Sequence, residues 1–295
     1  MLLSDYTTQV QELVHDSAFV DYSQAEMTSF INNARVRVSL DMASVRTYFT
    51  NCSTIVNQET YPITGGVGGA TITNGGVYSS PPTVTFAAPP AGGTQATGIA
   101  LMSGTAPNMA VTQIGMTNWG RGYTAVPTVT FGSGAAAATA VALINVIDIY
   151  AVSYLYGVQR ARLQFKPFGV FNTFFRYNTT TSGHPCVWSI YHQQNLFYLF
   201  PALPDQNYPL EIDAIVTASP LVNVIDSDVQ INAPENDLVQ YYAAHLALLK
   251  AQNFAQAEYY NNKYGQRKTE ILATRYAPRI QNPYQNAWRR IQRGY

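Results

Sequence analysis

The sequence predicts an α+β fold: a helical core built from both ends of the chain, a β-rich middle, and an inserted two-repeat β domain. Three observations predict it. Apolar residues recur at helical spacing over residues 4–46 and again from Pro234. Between these stretches the pattern is that of strands broken by Pro- and Asn-rich turns. Within the middle, Thr-Val-Thr-Phe occurs twice, at Thr83–Phe86 and Thr128–Phe131, 45 residues apart.

The first helix is expected over 4–16, where Tyr6, Val10, Leu13 and Val14 share one face. Ser23 and Glu26 match a capping box, so a second helix starts there and is expected to run to about Arg46. Its apolar face is Met27, Phe30, Ile31, Ala34 and Val38, with Arg35, Arg37 and Asp41 elsewhere around it. Strand character begins at Thr54; Gln58–Ile63 is extended and Gly65–Gly69 is a flexible junction.

Each repeat has an upstream Gly and Tyr, Gly75 with Tyr78 and Gly120 with Tyr123, and a small-residue strand ending in Ala100-Leu101 or Ala142-Leu143. On this alignment Trp119 corresponds to Asn74. Two copies suggest two small β units or a pseudo-twofold pair, since solenoids and propellers need more repeats. Arg121 is the one ionised side chain over 64–144. Strands are expected at Val146–Val152, Arg160–Phe165, Phe171–Tyr177, Trp188–Tyr191, Leu196–Phe200 and Leu210–Val216.

Pro234-Glu235-Asn236-Asp237 opens the last helical block, with acids where the helix dipole favours them. Leu238, Tyr242, Leu246 and Leu249 form one stripe; Ala243, Ala244, Ala247 and Ala251 form a small-residue face for close helix packing. A further helix is expected from 254 to about 275, stopped by Pro278. The domain reading is a core of 1–63 with 146–278, an insert of 64–145, and an extended arm of 279–295.

Charged residues make up 12% of the chain, about half the ~25% usual in soluble domains, while Tyr counts 21. Charge depletion with aromatic enrichment marks interface cores, although Tyr and Thr also suit strands. From Lys263 onward there are eight bases and one acid, +7 against −7 in the rest. A basic tail on an otherwise acidic chain is expected to dock on protein rather than on nucleic acid.

Cys52 and Cys186 form neither a disulfide framework nor a zinc spacing. His184-Pro185-Cys186 has no second ligand pair nearby, and His15, His192 and His245 stand apart in sequence. Asp226-Ser227-Asp228 lacks the Gly and Glu of a calcium loop and reads as a solvated turn. Gly65–Gly76 lacks the Lys-Ser/Thr ending and following helix of a phosphate loop. No catalytic residue, metal or cofactor is expected, and no stretch reaches transmembrane length. Trp119 and Tyr123 are candidates for sugar stacking, core packing or subunit contact.

The order of two N-terminal helices, Gln58-Glu59-Thr60-Tyr61-Pro62, a β middle and a C-terminal helical block resembles the head-to-tail adaptor (connector) proteins of tailed bacteriophages. Gly183-His184-Pro185, then Leu196–Pro204 and Asp205–Ile212, resemble the family's strand–turn–strand segment before the Pro-Glu-Asn-Asp helix start. Pro201-Ala202-Leu203-Pro204 has one extra residue between its prolines. The resemblance covers 1–63 and 146–278; the insert departs from the compact adaptors.

The resemblance implies a homo-oligomeric ring, commonly of twelve, in the virion neck, made in the host cytoplasm. The ring joins the portal protein to a tail nozzle, tube or stopper protein, and genomic DNA passes through without sequence-specific binding. Arg279, Tyr284, Trp288, Arg289, Arg290, Arg293 and Tyr295 form the portal-docking arm on this reading, since such residue types dominate hot spots. Phe30, Ile31, Ala34, Leu238, Tyr242, Ala243, Leu246 and Ala247 pack helices or subunits. The insert contacts tail fibres or, on the alternative reading, makes the chain a receptor- or glycan-binding tail protein.

Overall fold

The computed structural model describes residues 1–16, 19–132, 135–157, 159–177 and 180–280, with side chains up to 274. The chain divides into two units: Met1–Val45 together with the chain from Thr217, and Arg46–Val216. The mixed fold class is as expected. The division is not, because it falls at 45/46 and 216/217 rather than at 63/64 and 145/146.

The first unit is helical. Helices α1 (Leu3–Val14) and α2 (Gln24–Met42) pack against α4 (Asn236–Lys250), which pairs with α5 (Phe254–Ile280). Tyr6 and Val10 of α1 are buried as expected, and Leu13 and Val14 are half-buried. The capping box forms in full: the Glu26 amide donates to Ser23 Oγ (3.4 Å) and the Ser23 amide to Glu26 Oε2 (3.0 Å). Ala243, Ala244 and Ala247 are fully buried, and the small-residue face lets the neighbouring helices approach closely.

Two helix ends differ from expectation. Helix α2 stops at Met42, where Ala43 turns left-handed (φ 47°), because Arg46 already belongs to a strand. Helix α5 continues through Pro278 to Ile280, so Arg279 lies in its last turn and not in an extended segment. The other arm residues, Tyr284, Trp288, Arg289, Arg290, Arg293 and Tyr295, lie outside the described residues.

The second unit is β-rich. Its strands are β1 (Arg46–Ser53), β2 (Thr60–Pro62), β3 (Gly66–Asn74), β4 (Val84–Phe86), β5 (Thr97–Ser103), β6 (Ala110–Asn118) and β7 (Val129–Phe131). They continue with β8 (Ala137–Leu143), β9 (Val146–Tyr156), β10 (Gln159–Arg162), β11 (Gln164–Phe165), β12 (Val187–Tyr191), β13 (Leu196–Phe200) and β14 (Pro209–Val216). A six-stranded sheet runs β10-β9-β14-β1-β3-β8, and a four-stranded sheet runs β11-β12-β13-β2. Strand β1 was not expected, and it ties the repeat region to the rest. Cys52 pairs with Gly69 so closely that a Cβ on Gly69 would stand 1.9 Å from the Asn51 carbonyl oxygen.

The stretch Phe171–Tyr177, expected as a strand, belongs mostly to α3 (Phe168–Phe174), a short helix opened by Pro167. Phe168, Phe171 and Phe175 stand at i, i+3 and i+7 and face one sheet. Phe168 stacks on Tyr191 (4.5 Å), and Phe175 meets Phe200 edge-on (5.2 Å). An aromatic run fits period 2 and period 3.6 alike, so tertiary packing decides.

The two repeats interlock. The Thr-Val-Thr-Phe copies pair with each other antiparallel, with Thr85 opposite Thr130 at the centre. Strand β3 of the first repeat pairs with β8 of the second, and β6 of the second with β5 of the first. The equivalences follow from matching contacts. The Ala136 amide donates to Tyr78 Oη (3.1 Å) as the Ala96 amide donates to Tyr123 Oη (2.9 Å). Gly76 and Gly120, both left-handed, each donate to an Asn side chain two residues back, Asn74 and Asn118.

Asn74 therefore matches Asn118, and Trp119 matches Gly75 rather than Asn74. The Val111 amide donates to the Gly75 carbonyl as the Val67 amide donates to that of Trp119. By the same logic Ala100 (opposite Ile114) matches Ala140 (opposite Ala70), not Ala142. A pseudo-twofold relation results, with one cluster of Tyr78, Ala100 and Val111 packed by Val84 and Phe131 from both copies.

Trp119 places a full side chain at the position equivalent to Gly75, where a Cβ would stand 2.8 Å from the Val111 carbonyl oxygen. Fully buried, its Nε1 donates to the Ser53 carbonyl (3.0 Å), and its ring lies 4.8 Å from Tyr61 and 5.9 Å from Phe197. We predict that Trp119→Ala lowers unfolding free energy by about 3–5 kcal/mol. Trp119→Phe should cost less, and chemical denaturation followed by circular dichroism checks both.

Candidate assembly surface

The helical unit holds the least expected chemistry of the chain. Arg35 lies inside the buried arc of α2, between Ala34 and Val38 and one turn beyond Ile31. Its guanidinium grips Asp228 with two bonds, Nε to Oδ2 at 2.7 Å and Nη2 to Oδ1 at 2.9 Å. The side chains retain 1% and 0% exposure. Asp228 is thus no solvated turn residue, and Arg35 does not lie off the apolar face. Asp226 does serve its turn: its carboxylate accepts from the amides of Val222 and Asn223, both at 2.8 Å.

Several neighbouring polar groups contribute. Asp228 Oδ1 also accepts from the amides of Gln230 (3.1 Å) and Ile231 (3.2 Å), and Oδ2 from Tyr6 Oη at 3.3 Å. The single Tyr6 hydroxyl hydrogen is shared with Asn236 Oδ1 at 2.8 Å, reaching the start of α4. Arg35 Nη1 donates to the Ser219 carbonyl, while Asn32 pairs with both the amide and the carbonyl of Leu221 at 2.9 Å. One ion pair therefore joins α1, α2, α4 and the 219–231 connection.

Burial alone would raise the Asp228 carboxyl. The Arg35 hydrogen bonds and charge, with the two amides, outweigh it and hold the group below its ordinary value. Burial, with Asp228 adding to it, pushes the Tyr6 phenol well up, so it stays a donor.

The latched connection presents apolar side chains to solvent. Val222, Ile225 and Val229 are 72%, 78% and 86% exposed. Beside it, the outer face of α2 and Pro220–Val222 line a shallow groove of about 820 Å³ with no charged lining residue. At the N-terminal end of α2, beside the groove, Glu26 pairs with Lys250, and Tyr22 Oη donates to the Ala247 carbonyl (2.9 Å).

The expected packing residues divide. Ile31, Ala34, Leu238, Ala243 and Ala247 are fully buried within the unit, while Phe30, Tyr242 and Leu246 are half-buried. Tyr242 meets Tyr264 at 5.2 Å, and Phe30 meets Tyr22 edge-on at 6.2 Å. Of the insert candidates, Trp119 and Tyr123 are both internal, with Tyr123 Oη donating to the Ala87 carbonyl at 3.0 Å. The two side chains named for sugar stacking are not at the surface.

No protein-family model matches the chain, and no curated protein matches it.

The remaining candidates are scattered. His245 Nδ1 lies 2.8 Å from the Ala257 carbonyl, His184 stacks near Tyr154, and His192 stands 3.7 Å from Asp148. Cys52 is buried, which pushes its thiol up to about 12, and Cys186 is exposed. Among the described residues no helix is long and apolar enough to cross a membrane.

We predict that Arg35→Met or Asp228→Ala alone lowers stability by about 3–5 kcal/mol, because each strands a buried charge. Arg35→Met/Asp228→Leu should lose less than the sum, read as a coupling energy in a double-mutant cycle. The pH dependence follows from the depressed Asp228 value. Its contribution is complete above the unfolded carboxylate pKa of about 4. It is lost as pH falls through the lower folded value. Thermal melts from neutral to acid pH should show that loss in the parent chain and a flatter profile in Asp228→Asn.

Proposed function

We propose that the chain is a structural subunit of a phage neck, a head-to-tail adaptor whose copies form a ring between portal and tail. The carrying observation is the discontinuous helical unit. Both chain ends are locked together by the Arg35–Asp228 network, and the unit leads through α5 into a basic, aromatic C-terminal segment. A rigid helical body with a separate adhesive terminus suits assembly, where work is done by binding and not by bond chemistry.

Further support comes from charge economy. A 12% charged chain has little to desolvate when copies pack against one another. On this reading the ring continues the DNA channel, its tail side meets a nozzle, tube or stopper protein, and the segment from 279 docks on the portal. Repetition around the ring turns modest single contacts into strong attachment. The neutral duplicated β region is then an outward decoration available to tail fibres.

Deleting 279–295 should leave the melting behaviour nearly unchanged, within about 0.5 kcal/mol, since every core residue among the described ones precedes 279. Affinity for the cognate portal should fall about a hundredfold or more, as two lost aromatic or Arg anchors would dictate. Co-sedimentation with purified portal and negative-stain imaging of the complex measure this. Unchanged portal binding by the folded truncation would remove the docking role.

A further inference from the structure

The charge of this chain is segregated more sharply than its neutral total suggests. The β unit, Arg46–Val216, carries six bases and five acids and is nearly neutral. The helical unit up to residue 262 carries eleven acids and three bases, a net of −8. The segment from Lys263 carries +7, of which +4 lies on α5 itself and +3 on Arg289, Arg290 and Arg293, so the helical unit through Ile280 is −4 and the residues after it are +3. The electrostatic complement of the tail is therefore the helical unit of this same protein.

The helical unit also offers a seat. The groove beside α2 is floored by Ala25, Thr28, Ser29 and Asn33, and walled by Pro220 and Val222. Small uncharged side chains allow an incoming aromatic ring to lie close to the helix backbone, and the exposed Val222 extends the apolar wall. Acids flank the lining residues: the exposed Asp21 lies two residues before Ser23 in sequence, and the Asp226 carboxylate binds the Val222 amide. Fifteen residues follow the end of α5, and Tyr284, Trp288 and Ile291 are spaced i, i+4, i+7, with Arg289, Arg290 and Arg293 between and beyond them. Aromatic anchors flanked by bases fit an uncharged groove with an apolar wall and acids nearby.

We propose that residues 284–293 of one copy seat in the α2 groove of a neighbouring copy. Helix α5 runs away from the Ser23 end of the chain's own groove. The Ser23 end of the groove lies by the C-terminal end of α4, through Glu26–Lys250. Helix α5 leaves at the other end of α4, where Arg267 pairs with Asp237, and Ile271 shares a pocket with Glu235. Nine further residues then carry the helix about 13 Å onward. The inference rests on the ring reading only for the supply of an adjacent copy, and gives the segment a partner within the ring besides the portal.

The test uses the full chain in a Cys186→Ser background, with Ser29→Cys and Asn286→Cys introduced together. Ser29 is exposed and outside the buried network, so folding is expected to persist and is checked by circular dichroism. Mild oxidation should give a ladder of covalently linked chains, severalfold more abundant than with the control pair Ser103→Cys and Asn286→Cys. The ladder should shrink severalfold at about 1 M salt, where screening is strong. A link confined within single chains, or a yield no higher than the control, overturns the seat. A chain that binds portal yet gives no ladder sinks this contact and leaves the adaptor reading standing, whereas a ladder without portal binding does the reverse.

Discussion

The bidentate pair of Arg35 with Asp228 is the interaction on which the helical unit depends. Taking both charges out of water costs several kcal/mol per ion, and only near-complete hydrogen bonding offsets that cost. Here every nearby element is recruited to meet it: Tyr6 from α1, Asn32 from α2, the amides of Gln230 and Ile231, and the Ser219 carbonyl. The pair adds little net energy over apolar packing, but alternative arrangements of the four helices would strand a charge. That asymmetry favours one arrangement of segments that lie almost 200 residues apart in sequence.

The same network explains how an exposed loop becomes a defined surface. Residues 219–231 bridge the β unit and α4 without regular structure beyond isolated turns. Their backbone is nevertheless pinned at Ser219, Leu221, Asp226 and Asp228 by α1 and α2. Val222, Ile225 and Val229 are held outward by that pinning. Apolar groups on a fixed loop lose less entropy on meeting a partner than the same groups on a free one.

Much of this was legible in the sequence, and the failures share one cause. The capping box of Ser23 and Glu26, the strands Leu196–Phe200 and Leu210–Val216, and the small-residue face of α4 at Ala243, Ala244 and Ala247 rest on local pattern that held, while Ala251 falls beyond the helix and is exposed. Arg35 was readable in principle: it sits one turn from Ile31 on the apolar arc, and a buried Arg requires an acid. Which acid was not readable, because Asp226 and Asp228 differ only in tertiary position. The aromatic run at 168–175 was ambiguous between periods until its sheet was known. The repeat misled by its own regularity: counting 45 residues throughout equates Trp119 with Asn74, whereas one residue inserted between Gly120 and Tyr123 shifts the true match to Gly75.

An insertion in sequence need not be a module in space, and the duplicated region shows why. It leaves and returns at one point: the Gly65 amide donates to the Leu143 carbonyl at 2.7 Å, and the Val146 amide to Thr64 Oγ1 at 3.3 Å. Entry and exit so close add little closure cost to the host strands. From that point β3 and β8 extend the host sheet, and Trp119 enters the host aromatic cluster with Tyr61 and Phe197. A domain joined only by its two linkers would swing, whereas one that shares a sheet and a buried Trp moves with its host. The strand exchange between the copies adds to this, since neither repeat holds its own β3–β8 or β5–β6 pairing without the other. The region therefore behaves as one rigid extension of the β unit, and a load applied to either repeat passes through β3 to β1 and β14.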